Sequence, residues 1–167
     1  MKCSCQEFEK NYRDCTRCSC GKHIIAEENR RKYILQNPSG KRICKIRVDN
    51  CVIKSQDQRK CDYLAIVCPS EDNAETESET HNGSDLYFIE LKGKDLLGAI
   101  AQLTQTIEYF QSEFKITGKV FARAVLSKVV VPKNIETDAR VVKLRKLVKK
   151  YQGDFKYGSI QYDNDKI

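Results

Sequence analysis

Residues 86–92, L-Y-F-I-E-L-K, restrict the fold more than any other stretch of the chain. Leu86, Tyr87, Phe88, Ile89 and Leu91 make an extended segment apolar on both faces, and such a strand has to be covered on both. That pattern predicts a central strand of a sheet with helices on each side. Glu90 and Lys92 lie within the same stretch, and the two-residue period of a strand turns them to one face. A carboxylate and an ammonium buried at a strand end are costly unless each is paired or bound to a metal. A plain ion pair meets that demand as well as a catalytic site does, so the neighbouring segments have to decide.

Those segments supply a second acid and a helix. Residues 61–68, C-D-Y-L-A-I-V-C, form a nearly continuous apolar strand that opens on Asp62 and is stopped by Pro69. Two adjacent strands can bring Asp62 and Glu90 to one divalent cation, which takes oxygen ligands, with Lys92 beside the attacking water. Beyond Lys94, Asp95 is a suitable N-cap for a helix reaching about Phe114. On it Leu96, Ile100, Leu103, Ile107, Phe110 and Phe114 make one apolar face, and Gln102, Gln105 or Thr106, and Tyr109 form a polar stripe beside it.

Elsewhere the pattern predicts a short helix over 24–35, ended by Asn37-Pro38-Ser39-Gly40, and a strand with one wet side over 42–53. Further strands are expected over 119–131 and 155–162, with a helix between them over 136–151. Residues 70–85 are acidic and poor in apolar side chains, so they read as a mobile loop between two strands, with His81 solvated. The predicted class is α/β: a mixed sheet flanked by helices, preceded by a Cys-rich segment over 1–22 distinct from the domain of 23–167.

Charge is arranged in blocks. Residues 1–60 hold 15 Lys and Arg against 7 Asp and Glu, residues 61–85 hold none against 7, and residues 86–167 hold 15 against 9. Two basic blocks around an acidic middle suit a phosphate-backbone partner, because each neutralised phosphate releases counterions. Apolar runs fall short of the roughly 20 residues a membrane span needs. No membrane partner is therefore expected, and a cytoplasmic location is.

Nine cysteines, an odd number, occur at 3, 5, 15, 18, 20, 44, 51, 61 and 68. With no secretion signal in the sequence, free thiols or metal ligation are expected before a disulfide framework. Cys15, Cys18, Cys20 and His23 are close enough in sequence to be candidate ligands of a structural zinc.

The order helix, three strands, helix, strand, with Asp62 opening the second strand and Glu90-Leu91-Lys92 on the third, resembles the core of the PD-(D/E)xK nuclease superfamily, the restriction-endonuclease-like and RecB-like enzymes. The resemblance spans about residues 24–131. It implies an α-β-β-β-α-β core followed by a C-terminal helix and strand, with Mg2+ or Mn2+ held by Asp62 and Glu90 and water activated with the help of Lys92. RecB-like members carry a glutamine, often followed by a tyrosine, on the helix after the motif, which points to Gln102 and Tyr109. A glutamate on the first helix often joins the metal site, leaving Glu27 and Glu28 as candidates with a lean to Glu28. The chain departs from the motif at Cys61, where many relatives have proline, and in the 27 residues between Asp62 and Glu90, a gap the acidic segment fills.

The activity implied is hydrolysis of phosphodiester bonds, of DNA before RNA, in a setting such as antiphage defence, restriction or repair. Lys45, Arg47, Lys94, Lys115 and Lys119 are candidates for backbone contacts. A non-catalytic nucleic-acid-binding or interaction module on the same scaffold is the competing expectation, and a homodimer or a separate targeting protein is left open.

Overall fold

The computed structural model describes residues 1–70, 83–91 and 93–167. Lys92, His81 and most of the acidic segment lie outside the described residues. Among those described, no helix is long and apolar enough to cross a membrane.

The central strand is where its apolar pattern puts it. Strand β6 (Asp85–Glu90) lies inside a six-stranded sheet built with β1 (Thr16–Ser19), β4 (Ile43–Arg47), β5 (Tyr63–Val67), β7 (Val120–Leu126) and β8 (Phe155–Ser159). The order is β1-β4-β5-β6-β7-β8. It is antiparallel from β1 to β6 and parallel from β6 through β7 to β8. The two parallel steps need crossovers, which α2 (Leu96–Glu113) and α3 (Ala139–Lys150) provide.

Helix α2 begins as its sequence predicts, with the Asp95 carboxylate accepting from the Gly98 N–H at 2.9 Å. Its apolar face packs on Leu64, Ile66, Leu86, Phe88, Ala122 and Ala124, where α3 adds Val141, Leu144 and Val148. A short helix α1 (Cys5–Asn11) completes this layer through Phe8, which stacks on Phe110 and Phe114 at 6.0 and 5.2 Å. Residues 1–22 are thus built into the domain: β1 is an edge strand of the large sheet and α1 is part of its helical layer.

The opposite face differs from expectation. It is covered not by helices but by a second sheet, β2-β3-β9, made of β2 (His23–Glu28), β3 (Arg31–Gln36) and β9 (Gln161–Lys166). Residues 24–35 are therefore a hairpin rather than a helix. Ile24 and Ala26 are buried while their neighbours are exposed, and Asn29 and Arg30 both take positive φ, as a two-residue type I′ loop requires. Ile24, Ala26, Tyr33, Leu35 and Tyr162 pack against Ala65, Tyr87, Ile89 and Val125 of the large sheet.

The expected strand over 155–162 is two strands in two sheets. Ile160, at φ +65°, redirects the chain from β8 into β9. Between the sheets lies Arg123, 2% exposed, held in a fork by Asp165 (2.7 and 3.0 Å), with a further ion pair to Asp154 at 2.7 Å. Tyr33 also donates to Asp165, at 2.6 Å.

The cysteines give a second correction. Cys5–Cys68, Cys15–Cys51 and Cys18–Cys44 are disulfides, leaving Cys3, Cys20 and Cys61 as free thiols. Each bond joins residues at least 26 apart in sequence, pairs that only the packing of α1 and β1 against the sheet brings together.

Candidate functional site at the end of strand β6

Asp62 directly precedes β5 and Glu90 ends β6, so the antiparallel pairing of these strands delivers both acids to one end of the sheet. Backbone bonds fix the arrangement. The Asp62 N–H donates to Ile89 O at 3.1 Å, and the Leu91 N–H donates to Asp62 Oδ2 at 2.8 Å. Asp62 is thus tied to the residues on either side of Glu90. Both acids are buried, Asp62 3% exposed and Glu90 fully.

The thiol of Cys61, the residue before Asp62, reports the potential they create. Burial pushes the Cys61 thiol well above its ordinary range, and the Glu90 and Asp62 charges push it further in the same direction. Cys61 is therefore a protonated, inert side chain in a region of negative potential, where a cation would be favoured.

Glu28 joins the pair from the other sheet. It ends β2, so a strand and not the expected first helix carries it in. Partial burial raises its pKa, and the neighbouring Asp62 charge and a hydrogen bond with Asp62 raise it further. Arg47 and the Tyr63 hydroxyl, 3.4 Å from Glu28 Oε1, act in the opposite sense. Repulsion between neighbouring carboxylates is relieved by protonation of one of them or by a divalent cation. Glu27, by contrast, is on the exposed side of β2 near Lys32.

Helix α2 positions the segment that leads into Asp62. Gln102 donates to Lys60 O at 3.3 Å, and Thr106 Oγ1 accepts from the Cys61 N–H at 2.7 Å while donating to Gln102 O. Two members of the polar stripe read from the sequence, Gln102 and Thr106, therefore clamp residues 60–61. Next to it lies an open cleft of about 250 Å³ lined by polar groups that include Asp49, Lys60 and Gln102. Lys60 is nearly buried there, bonded to Ser55 O and 3.8 Å from Asp49.

The basic candidates divide by sheet end. Arg47 pairs with Tyr63 at the acidic end and is exposed, and Lys94 is exposed just past Gly93, whose carbonyl accepts from Ser127 beyond the end of β7. Lys45 is partly committed to the fold, donating to Ile25 O at 2.8 Å over the Tyr63 ring. Lys119 is at the opposite end, its N–H bonded to Asp85 Oδ1 at the start of β6. Five residue steps of strand separate that point from Glu90, about 17 Å. Lys115 pairs with Lys2 at the far end of α2, and Tyr109 packs near there on Phe110. These three residues are not brought to the acidic end, because β7 runs parallel to β6 and starts where β6 starts.

The proposed zinc quartet also separates. Cys15 and Cys18 are bonded to Cys51 and Cys44, while Cys20 and His23 are exposed. Among the described residues, sets of three metal-ligating atoms within 4.8 Å of one another occur at Cys5, Cys44 and Cys68 and at Glu9, Cys18 and Cys44. Glu28, Asp62 and Glu90 do not make another. Lys60 and Tyr63 carry no sequence signal of a place here, and Cys61 and Thr106 stand out in the sequence only as a departure from the motif and a member of the polar stripe, because each matters through a backbone bond or a neighbour on another element. No family model, curated protein or solved structure matches the chain.

Proposed function

We propose that the protein is a divalent-metal-dependent nuclease that hydrolyses phosphodiester bonds, with DNA as the first substrate to test. The observation that carries this reading is the double tie of Asp62 to the residues flanking Glu90, with Glu28 near enough for the Asp62 charge to raise its pKa. The run β4-β5-β6-α2-β7, with its antiparallel meander followed by a parallel step, supports it too, being the strand arrangement expected of a restriction-endonuclease-like core.

The donor set suits Mg2+ or Mn2+: hard oxygen ligands from one or two carboxylates, with water filling the remaining positions. Asp62 and Glu90 would hold the ion. Such an ion, when bound, supplies charge neutralisation at phosphorus and a more acidic water. The chain's own groups do the rest. Glu28, with its raised pKa, holds or releases a proton at the edge of the site. Arg47 and Lys94 offer positive charge to a backbone phosphate, and Gln102 keeps Asp62 in register through Lys60. The resemblance assigns Lys92 to the attacking water.

The test is cleavage of plasmid, oligodeoxynucleotide and RNA substrates in Mg2+, Mn2+ or EDTA, beside Asp62→Asn, Glu90→Gln and Lys92→Ala. Metal-dependent cutting that falls by about 100-fold or more in each variant is expected. Cutting that persists in EDTA, or ignores all three changes, refutes the proposal. The wider spacing of the three carboxylates favours one competing reading, a binding module without catalysis. That reading predicts nucleic-acid binding unaffected by EDTA and no cleavage.

A further inference from the structure

A group of sulfur atoms around Cys68, which follows the end of β5 opposite Asp62, poses a separate question. Cys5 opens α1, Cys18 is in β1, Cys44 is in β4, and Cys68 follows β5. The structure pairs them as Cys5–Cys68 and Cys18–Cys44, yet these disulfides touch, with Cys44 Sγ 3.8 Å from Cys68 Sγ. The sulfurs of Cys5, Cys44 and Cys68 all lie within 4.8 Å of one another, and Cys18 is bonded to Cys44. A tetrahedral zinc with Zn–S bonds of about 2.3 Å sets its sulfurs about 3.8 Å apart. Cys5 and Cys44 are buried, while Cys18 and Cys68 are partly buried on the same core. The Cys15–Cys51 bond takes part in neither ligand set.

We propose that Cys5, Cys18, Cys44 and Cys68, when reduced, form a four-thiolate site for one structural Zn2+. The conversion balances simply. Two dithiol molecules each give two electrons and two protons to one disulfide and become disulfides themselves, leaving four thiols on the chain. Zn2+ then displaces the four thiol protons to solvent, giving a site of net charge −2. Arg42 lies beside it, ion-paired with Glu9, whose carboxylate is within 4.8 Å of Cys18 and Cys44. The ion would join α1, β1, β4 and the end of β5, the same elements the two disulfides join. In a reducing compartment, zinc would thus replace the disulfides as the tie between the N-terminal elements and the sheet.

The test uses the full chain, reduced with a dithiol under anaerobic conditions, confirmed folded by circular dichroism and titrated with Zn2+ and with Co2+ as a spectroscopic probe. One ion per chain is expected, with the visible bands and sulfur-to-cobalt charge transfer of a tetrahedral thiolate site. Alkylation mapped by mass spectrometry should find Cys5, Cys18, Cys44 and Cys68 protected while the metal is bound and modified once it is chelated. Cys20 should be modified in both states. Cys44→Ser should lose stoichiometric binding, and Glu9→Gln should keep it. Absence of one-to-one binding by the folded reduced chain overturns the proposal. So does protection centred on Cys15 and Cys20, retention of binding by Cys44→Ser, or loss of it in Glu9→Gln.

Discussion

Replacing Asp165 with Ala should destabilise the protein by about 3 kcal/mol, at the low end of the roughly 3–5 kcal/mol that removal of one partner from a buried ion pair costs. The change deletes both arms of the fork to Arg123 and the acceptor of the Tyr33 hydroxyl. Arg123 is 2% exposed, so its charge stays in the interior with less compensation. What remains is the Asp154 carboxylate, 2.7 Å from Nη1 on a residue that is 46% exposed, so that solvent weakens its attraction, and the Ala122 and Asp154 carbonyls, which accept from Nη1 at 2.9 and 3.1 Å. Stacking of the guanidinium near Tyr87, Phe121 and Tyr162 limits the loss further.

For a chain of this size, about 3 kcal/mol corresponds to a fall of roughly 6–12 °C in the unfolding midpoint. Urea titrations of the wild type, Asp165→Ala, Arg123→Met and the double variant complete the cycle. The double variant should cost less than the sum of the singles by at least about 1 kcal/mol, since removing both charges leaves neither buried alone. The lesion should also reach the candidate site. Asp165 is on β9, β9 pairs with β3, and β3 pairs with the strand that carries Glu28. A cost below about 1 kcal/mol, or strict additivity in the cycle, would refute the view that this network fastens the small sheet to the large one.

Other expectations follow from the same contacts. Because Glu28 has a raised pKa, the folded state binds its proton more tightly than the unfolded chain does, so its favourable contribution is present at low pH and lost as pH rises through the folded value. Glu28→Gln should therefore be more stable than the wild type at neutral pH and lose that advantage toward pH 4, as thermal melts across pH will read. Lys115→Glu with Lys119→Glu should leave nucleic-acid affinity within about twofold, while Arg47→Glu with Lys94→Glu should lower it by tenfold or more at low salt, measured by fluorescence anisotropy. Gly153→Ala should cost at least about 2 kcal/mol in a denaturant titration, because a Cβ there would stand 1.6 Å from Val120 O and backbone would have to move.

The helical half of the molecule is legible in the sequence because its signals are local. Asp95 caps α2, the apolar face of α2 repeats with the helical period, and the apolar run of β6 marks a strand covered on both sides. The hairpin at 23–36 is hidden because Asn29 and Arg30 adopt positive φ without the glycine that would announce the turn. Its short apolar run then fits a helix as readily as a strand. Ile160 conceals the break between β8 and β9 in the same way, a β-branched residue at positive φ. The disulfides could not be read because spacing along the chain says nothing about which sulfurs meet across a sheet. Lys115 and Lys119 resemble Arg47 and Lys94 as letters. Only the direction of β7 relative to β6 separates the two pairs.

Asp62 was legible as an acid at a strand start, but its bonds to both sides of Glu90 were not, since they depend on the register of β5 against β6. Whether that pairing binds a cation is decided most directly by anomalous diffraction from crystals soaked in Mn2+. A peak bonded to carboxylate oxygens of both Asp62 and Glu90, at about 2.0–2.6 Å as hard cations keep to oxygen, and absent in Glu90→Gln, is the expected outcome. No peak at that position in well-occupied soaks, or one unchanged by Glu90→Gln, would contradict it.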